Sequence, residues 1–141
     1  MRASSQRADR PARRQRVFWS LFCVLVAGAL FALAISNAVY EATSPGWFTF
    51  HVLLRKSYSV FAFALVGFAY VRTLQAWGRG TQLFGTALVV GLYSALIELG
   101  QRWFAGAREP FSSQAFDIAC GFVGGALGLL ISRALERLRT R

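Results

Sequence analysis

Four long apolar runs, separated by short polar stretches, decide most of what this chain can become. They are VFWSLFCVLVAGALFALAISNAVY (17–40), SYSVFAFALVGFAYVRTLQAW (57–77), QLFGTALVVGLYSALIELGQRWF (82–104) and SSQAFDIACGFVGGALGLLIS (112–132). At a rise of 1.5 Å per residue, each is long enough as a helix to cross about 30 Å of hydrocarbon. A helix also satisfies its own backbone hydrogen bonds, which lipid cannot do for it. The expectation is an all-α membrane protein. Its core is a four-transmembrane-helix bundle over 17–132, with a basic disordered tail (1–16) before it and a basic tail (133–141) after it. The first run exceeds the 7–15 apolar residues usual in a signal peptide, so it reads as an uncleaved helix. WFTFHVLLRK, ahead of the second run, reads as interfacial, because Trp and His suit the headgroup zone.

Charge is sparse and placed mostly outside the runs. Only 16% of residues are charged, against about 25% in ordinary globular proteins, which leaves too little polar surface for a soluble domain of this size. The net charge of +10 lies at the ends of apolar spans. Nucleic-acid binders instead carry a folded basic face with interleaved aromatics, so no nucleic-acid partner is expected and membrane lipid is. The positive-inside rule then sets direction. With a cytoplasmic N-terminus, 12 basic residues fall inside and 4 outside (Arg55, Lys56, Arg102 and Arg108), so both termini are expected in the cytoplasm. Cys23 and Cys120 sit toward opposite faces of the bilayer in that topology, too far apart for a disulfide. They show no metal-ligand spacing either. No metal or other cofactor is expected.

The polar residues left within the spans collect toward the outer leaflet. Glu98 lies roughly 9 Å and Asp117 roughly 8 Å deep, counting residues from the outer ends of their spans. An ionised carboxylate at such depth is costly unless paired or hydrated, and should face the bundle interior. Glu98, Gln101 and Arg102 are spaced to share one helix face. Two overlapping GxxxG pairs, Gly121 with Gly125 and Gly124 with Gly128, let backbones pack closely. Asp117 continues that glycine-lined face, which points Asp117 and Glu98 into one cavity with Lys56 and Arg108 as counter-charges. The plainer alternative is a polar staple that fixes helix register. His51 reads as an interfacial side chain, while Tyr93 and Ser94 sit a turn from Glu98, within reach of a hydrogen bond to it.

These residues, taken together, resemble the VanZ-like family of small bacterial membrane proteins. The shared elements are E-x-x-Q near the end of a span (Glu98 and Gln101), an Arg in the following loop (Arg108), and an Asp opening a Gly-rich last span (Asp117, then Gly124, Gly125 and Gly128). Lys56 resembles the Lys of the family's D-K-x-x-H stretch, with Arg55 and Ser59 where that stretch has Asp and His. Gly121 stands where an Asn commonly follows the Asp, and the gap from Arg108 to Asp117 is longer than usual. The resemblance covers about residues 45–132. It implies a multi-pass protein of the bacterial cytoplasmic (inner) membrane connected with the cell envelope. The family's namesake is associated with low-level teicoplanin resistance, a role that a broad family does not hand to each member.

The leading expectation is recognition of a polar lipid headgroup or cell-wall precursor at the outer leaflet. Lys56, Arg102 and Arg108 would draw a phosphate, while Glu98, Gln101 and Asp117 hold those bases or accept from sugar or amine groups. A lipid-linked precursor or a glycopeptide-related ligand fits that chemistry. An intramembrane enzyme using Glu98 and Asp117 as acid and base is the first alternative. No Ser-His pair, HExxH or phosphate loop accompanies them, so the reading leans away from an enzyme. A small proton-coupled transporter is the second alternative, although these carboxylates lie away from the midplane where alternating-access sites sit. The GxxxG pairs serve packing within one chain or between chains, so an oligomer is compatible with the sequence.

Overall fold

A computed structural model describes residues 3–36, 51–74, 78–104 and 111–140. Among the described residues the helices are α1 (Ala3–Ala34), α2 (His51–Thr73), α3 (Arg79–Phe104) and α4 (Phe111–Arg139). Among the described residues, α1, α3 and α4 each hold a stretch long and apolar enough to cross a membrane. The protein is therefore an all-helical membrane protein. The sequence reading expects four such spans, and three are found among the described residues; α2 carries Lys56 and Arg72 toward its two ends. Both of those charges are buried against partners within the bundle.

Helix boundaries differ from the expected ones mainly at the polar ends. Residues 3–16 are helical and continue into the first apolar run, where a disordered tail is the expectation from sequence. Once a helix is nucleated, each further residue adds a hydrogen bond at little cost, and Arg, Gln and Ala are good helix formers. The same reasoning covers α4, which runs past Ser132 to Arg139. At its start, α2 is continuous from His51 into the span, so the last part of the expected interfacial segment belongs to the same helix. At its end, α2 closes with Leu74 N–H donating to the Val71 carbonyl and Thr73 Oγ1 to that of Tyr70. The Leu74 carbonyl, left over by the helix end, accepts from Gln82 Nε2 of α3 at 3.0 Å, which answers the usual shortage of acceptor partners at a C-terminus.

The most extensive helix contact is between α2 and α4, with α3 against α4 and α1 against α2 next. Pairings along the chain give the directions. Lys56 meets Asp117 and Arg72 meets Glu136, so α2 and α4 run parallel. Ser94 meets Gly121 and Thr86 meets Gly125, so α3 and α4 run antiparallel. Tyr93 reaches Ala27 and Gln101 reaches Ala34, so α1 and α3 run parallel. The bundle is thus up-down-up-down, with the two parallel helices α2 and α4 touching across its centre. One end carries the start of α1 and the end of α4, and the opposite end carries Lys56 and Asp117.

Glycine on α4 permits that centre. Gly124 and Gly128 lie against the backbone of α2, where any Cβ would collide with the Val60 and Ala64 carbonyls and the Phe68 nitrogen. Gly121 and Gly125 instead lie against α3, near Val90, Ser94 and the Thr86 carbonyl. The two overlapping GxxxG pairs therefore serve two different neighbours, as small residues let backbones approach. From α2, Gly67 answers Gly125: a Cβ there would come within 2.9 Å of the Gly125 backbone. Phe63, Val66, Val90 and Ile97 fill the remaining core, with Leu30, Phe31 and Tyr93 packed on it. Outward faces carry Phe18, Leu21, Val24, Phe84, Leu92 and Phe122, all exposed. A surface that apolar exceeds what water tolerates on a monomer, and hydrocarbon is its natural cover.

Candidate functional site

The site is built at the end of the bundle opposite the termini. Parallel packing at a nearly constant offset brings the first turns of α2 and α4 side by side, and with them Lys56 and Asp117. The Lys56 ammonium donates to Asp117 Oδ1 in a short ion pair. Both residues are buried, at 9% and 7% exposure. Burying a lone charge among apolar helices costs several kcal/mol, and pairing offsets that only when the geometry is close. Phe116 adds to it, its ring centroid 5.5 Å from Lys56 Nζ, within the range of a cation–π attraction.

Backbone around Asp117 is held from α3. Ser94, almost wholly buried, donates its hydroxyl to the Asp117 carbonyl at 2.9 Å, and its Cβ packs where Gly121 leaves room. Without that donor a buried carbonyl would rely on the helix alone, and the antiparallel register of α3 on α4 would lose its polar pin. Glu98 follows Ser94 by four residues, so it sits on the same face of α3, level with the first turns of α4. It is half-buried. The arrangement thus holds one cation and two carboxylates at one depth.

The other sequence-derived site residues divide. Gln101 is half-buried and donates from Nε2 to the Ala34 carbonyl at 3.0 Å, so it ties α3 to the end of α1. Tyr93 likewise donates to the Ala27 carbonyl. Hydrogen bonds from Tyr93 and Ser94 to Glu98 are the expectation from sequence, but these hydroxyls spend their single protons elsewhere. Arg102 is exposed at the rim. Arg108, and the side chains of Arg55 and His51, lie outside the described residues. Cys23 and Cys120 are both free thiols.

Sequence reading missed a second polar junction at the end carrying the termini. Buried Arg72 donates from Nη1 to Glu136 Oε1 at 3.3 Å. Its guanidinium carbon stands 5.2 Å from the Phe68 ring centroid and 5.7 Å from that of Trp19. Arg72 reads in sequence as a topological charge and Glu136 as part of a basic tail, so neither advertises a partner 64 residues away. Beside this junction lies a cavity of about 220 Å³ lined by Val71, Gln82, Leu129, Ser132, Arg133 and Glu136.

Compared with protein-family models, with curated proteins and with solved structures, the chain matches none. The functional reading therefore stands on the geometry and on the residues themselves.

Proposed function

We propose that this chain is a VanZ-like, multi-pass protein of the bacterial cytoplasmic membrane that recognises a polar lipid headgroup or lipid-linked cell-wall precursor at the outer leaflet. In this reading all four helices cross the bilayer and both termini are cytoplasmic. Support for α2 as a crossing comes from its place at the bundle centre, parallel to α4 and in register with it at both ends. The charge asymmetry of 12 inside to 4 outside supports the direction.

One observation carries the recognition reading: Lys56 and Asp117 are buried together among apolar helices, and half-buried Glu98 follows by four residues the Ser94 that bonds the Asp117 carbonyl. Register between α2 and α4 is already pinned at the other end by Arg72 and Glu136. A second buried pair exceeds what register demands, and ionisable groups inside membranes gather at sites. Lys56 supplies the cation for a phosphate, with Arg102 at the rim. Glu98 and Asp117 accept from hydroxyl or amine groups of the headgroup. Arg108, in the loop between α3 and α4, completes the set by the family resemblance.

The test is lipid capture by the purified protein, comparing wild type with Arg108→Ala and Asp117→Asn. The expected outcome is loss of one lipid class from the co-purified set in both variants. An unchanged lipid profile in both would leave the cluster as a staple.

A further inference from the structure

We propose that the outward face of α1 seats one anionic phospholipid, its phosphate on Arg13 and Arg14 and an acyl chain along Val17, Phe18 and Leu21. These five residues line an open groove of about 650 Å³, within the ~300–1,000 Å³ over which ligand sites range. Their spacing puts them on one helix face. Trp19 turns the other way, its ring centroid 5.8 Å from that of Phe68 on α2, so the groove looks away from the bundle. The apolar span of α1 begins at Arg13. That sets the two guanidinium groups at the headgroup level of a bilayer and the apolar residues in its hydrocarbon.

The chemistry of the groove selects its occupant. Arg13 and Arg14 are exposed, and neither makes a hydrogen bond or ion pair among the described residues, so both cations are available. No Asp or Glu occurs from residue 13 to residue 36, and nothing along that stretch of α1 offsets their charge. Arginine holds phosphate oxygens with parallel hydrogen bonds, and a lipid of net negative charge gains more from two of them than a zwitterionic one. Val17, Phe18 and Leu21 are exposed, and exposed Val24 and Leu25 continue the apolar face by another turn, as a chain lying along the helix requires. A second copy in the same orientation would suit the apolar part alone, since it sets arginine against arginine at one end. The inference rests only on α1 crossing the membrane and is independent of the site at Lys56 and Asp117.

Delipidated full-length protein in detergent is titrated with phosphatidylglycerol, phosphatidylcholine or soluble glycerol phosphate, and bound copies are counted by native mass spectrometry. One tight copy of phosphatidylglycerol is expected, with the other two bound markedly more weakly. Arg13→Ala with Arg14→Ala should weaken it about tenfold, or about 1.4 kcal/mol. Arg137→Ala with Arg139→Ala removes the same charge from exposed positions on α4 and should leave it unchanged. Leu21→Trp, at an exposed position where a larger side chain disturbs no core contact, crowds the groove and should weaken binding several-fold with both arginines in place. The copy should persist in folded Lys56→Met with Asp117→Leu. An equal loss in the two arginine pairs overturns the proposal, reducing it to diffuse attraction to basic charge. Equal binding of phosphatidylcholine or glycerol phosphate overturns it too, as does wild-type affinity in Leu21→Trp or loss of the copy in the folded Lys56 and Asp117 variant. A lipid-free dimer that Leu21→Trp disrupts also overturns it and assigns the face to a second copy.

Discussion

At the scale of single residues, Lys56 and Asp117 set the energetics of the bundle end they occupy. Removing one partner strands the other charge among apolar helices, so Lys56→Met or Asp117→Leu alone should destabilise by about 3–5 kcal/mol. The double variant Lys56→Met with Asp117→Leu should regain most of that, because a buried ion pair contributes little beyond a well-packed apolar pair. Unfolding in detergent with increasing denaturant measures both effects. Two stranded singles with an unrescued double would mean the pair holds something else in place. Asp117 and Lys56 were legible as ionisable groups next to apolar runs, and the depth of Glu98 likewise. Lys56 was legible as a counter-charge for Asp117 and Glu98, but not which of the two it meets, because residues 61 apart leave little trace of helix register in one sequence. Ser94 was legible only as a neighbour of Glu98, since its role depends on the Asp117 carbonyl facing it across α3 and α4.

At the scale of elements, α4 is the helix on which the packing turns. Its glycine spacing was visible in the sequence, whereas the division of labour between α2 and α3 needed the rotation of α4 about its axis. The division makes a graded set of substitutions. Gly128→Ala places a methyl against the α2 backbone, which has no rotamer to yield, and should cost at least the ~1–3 kcal/mol of an overpacked core. Gly91→Ala meets first the ring of Phe122, which can turn outward because it is exposed, so its cost should be smaller. Gly85→Ala meets nothing within 4 Å and should stabilise by roughly 0.5–1 kcal/mol through the helix preference of Ala. Melting temperatures of the three variants check the order, and a Gly128→Ala as stable as Gly85→Ala would contradict the close approach of α2 and α4. The expected tail and span boundaries depart from the helices mainly where polar composition suggested an ending that helix continuation overrode, at residues 3–16 and 133–139.

At the scale of the molecule, the up-down-up-down order gathers two polar junctions at opposite ends of an apolar bundle. Four crossings with both termini inside make a direct topological expectation. With Cys23 and Cys120 replaced by Ala, Ser5→Cys and Thr140→Cys should be shielded from an impermeant maleimide in intact cells, and Ser44→Cys should react. Labelling of either terminal position from outside would contradict this orientation. The number of long apolar runs was legible from sequence, but the central position of α2 came only from the packing of its two charges against α4. The claim on which the functional reading rests is that Lys56 and Asp117 serve a ligand as well as the fold. The double variant Lys56→Met with Asp117→Leu separates these roles, because it keeps the packing and removes the charges. Native mass spectrometry of gently extracted wild type and double variant, both first shown to be folded, is the most direct measurement. The expected result is a folded double variant that has lost a specific polar lipid seen on the wild type. A folded double variant carrying the same lipid would contradict the account and reduce the pair to a staple.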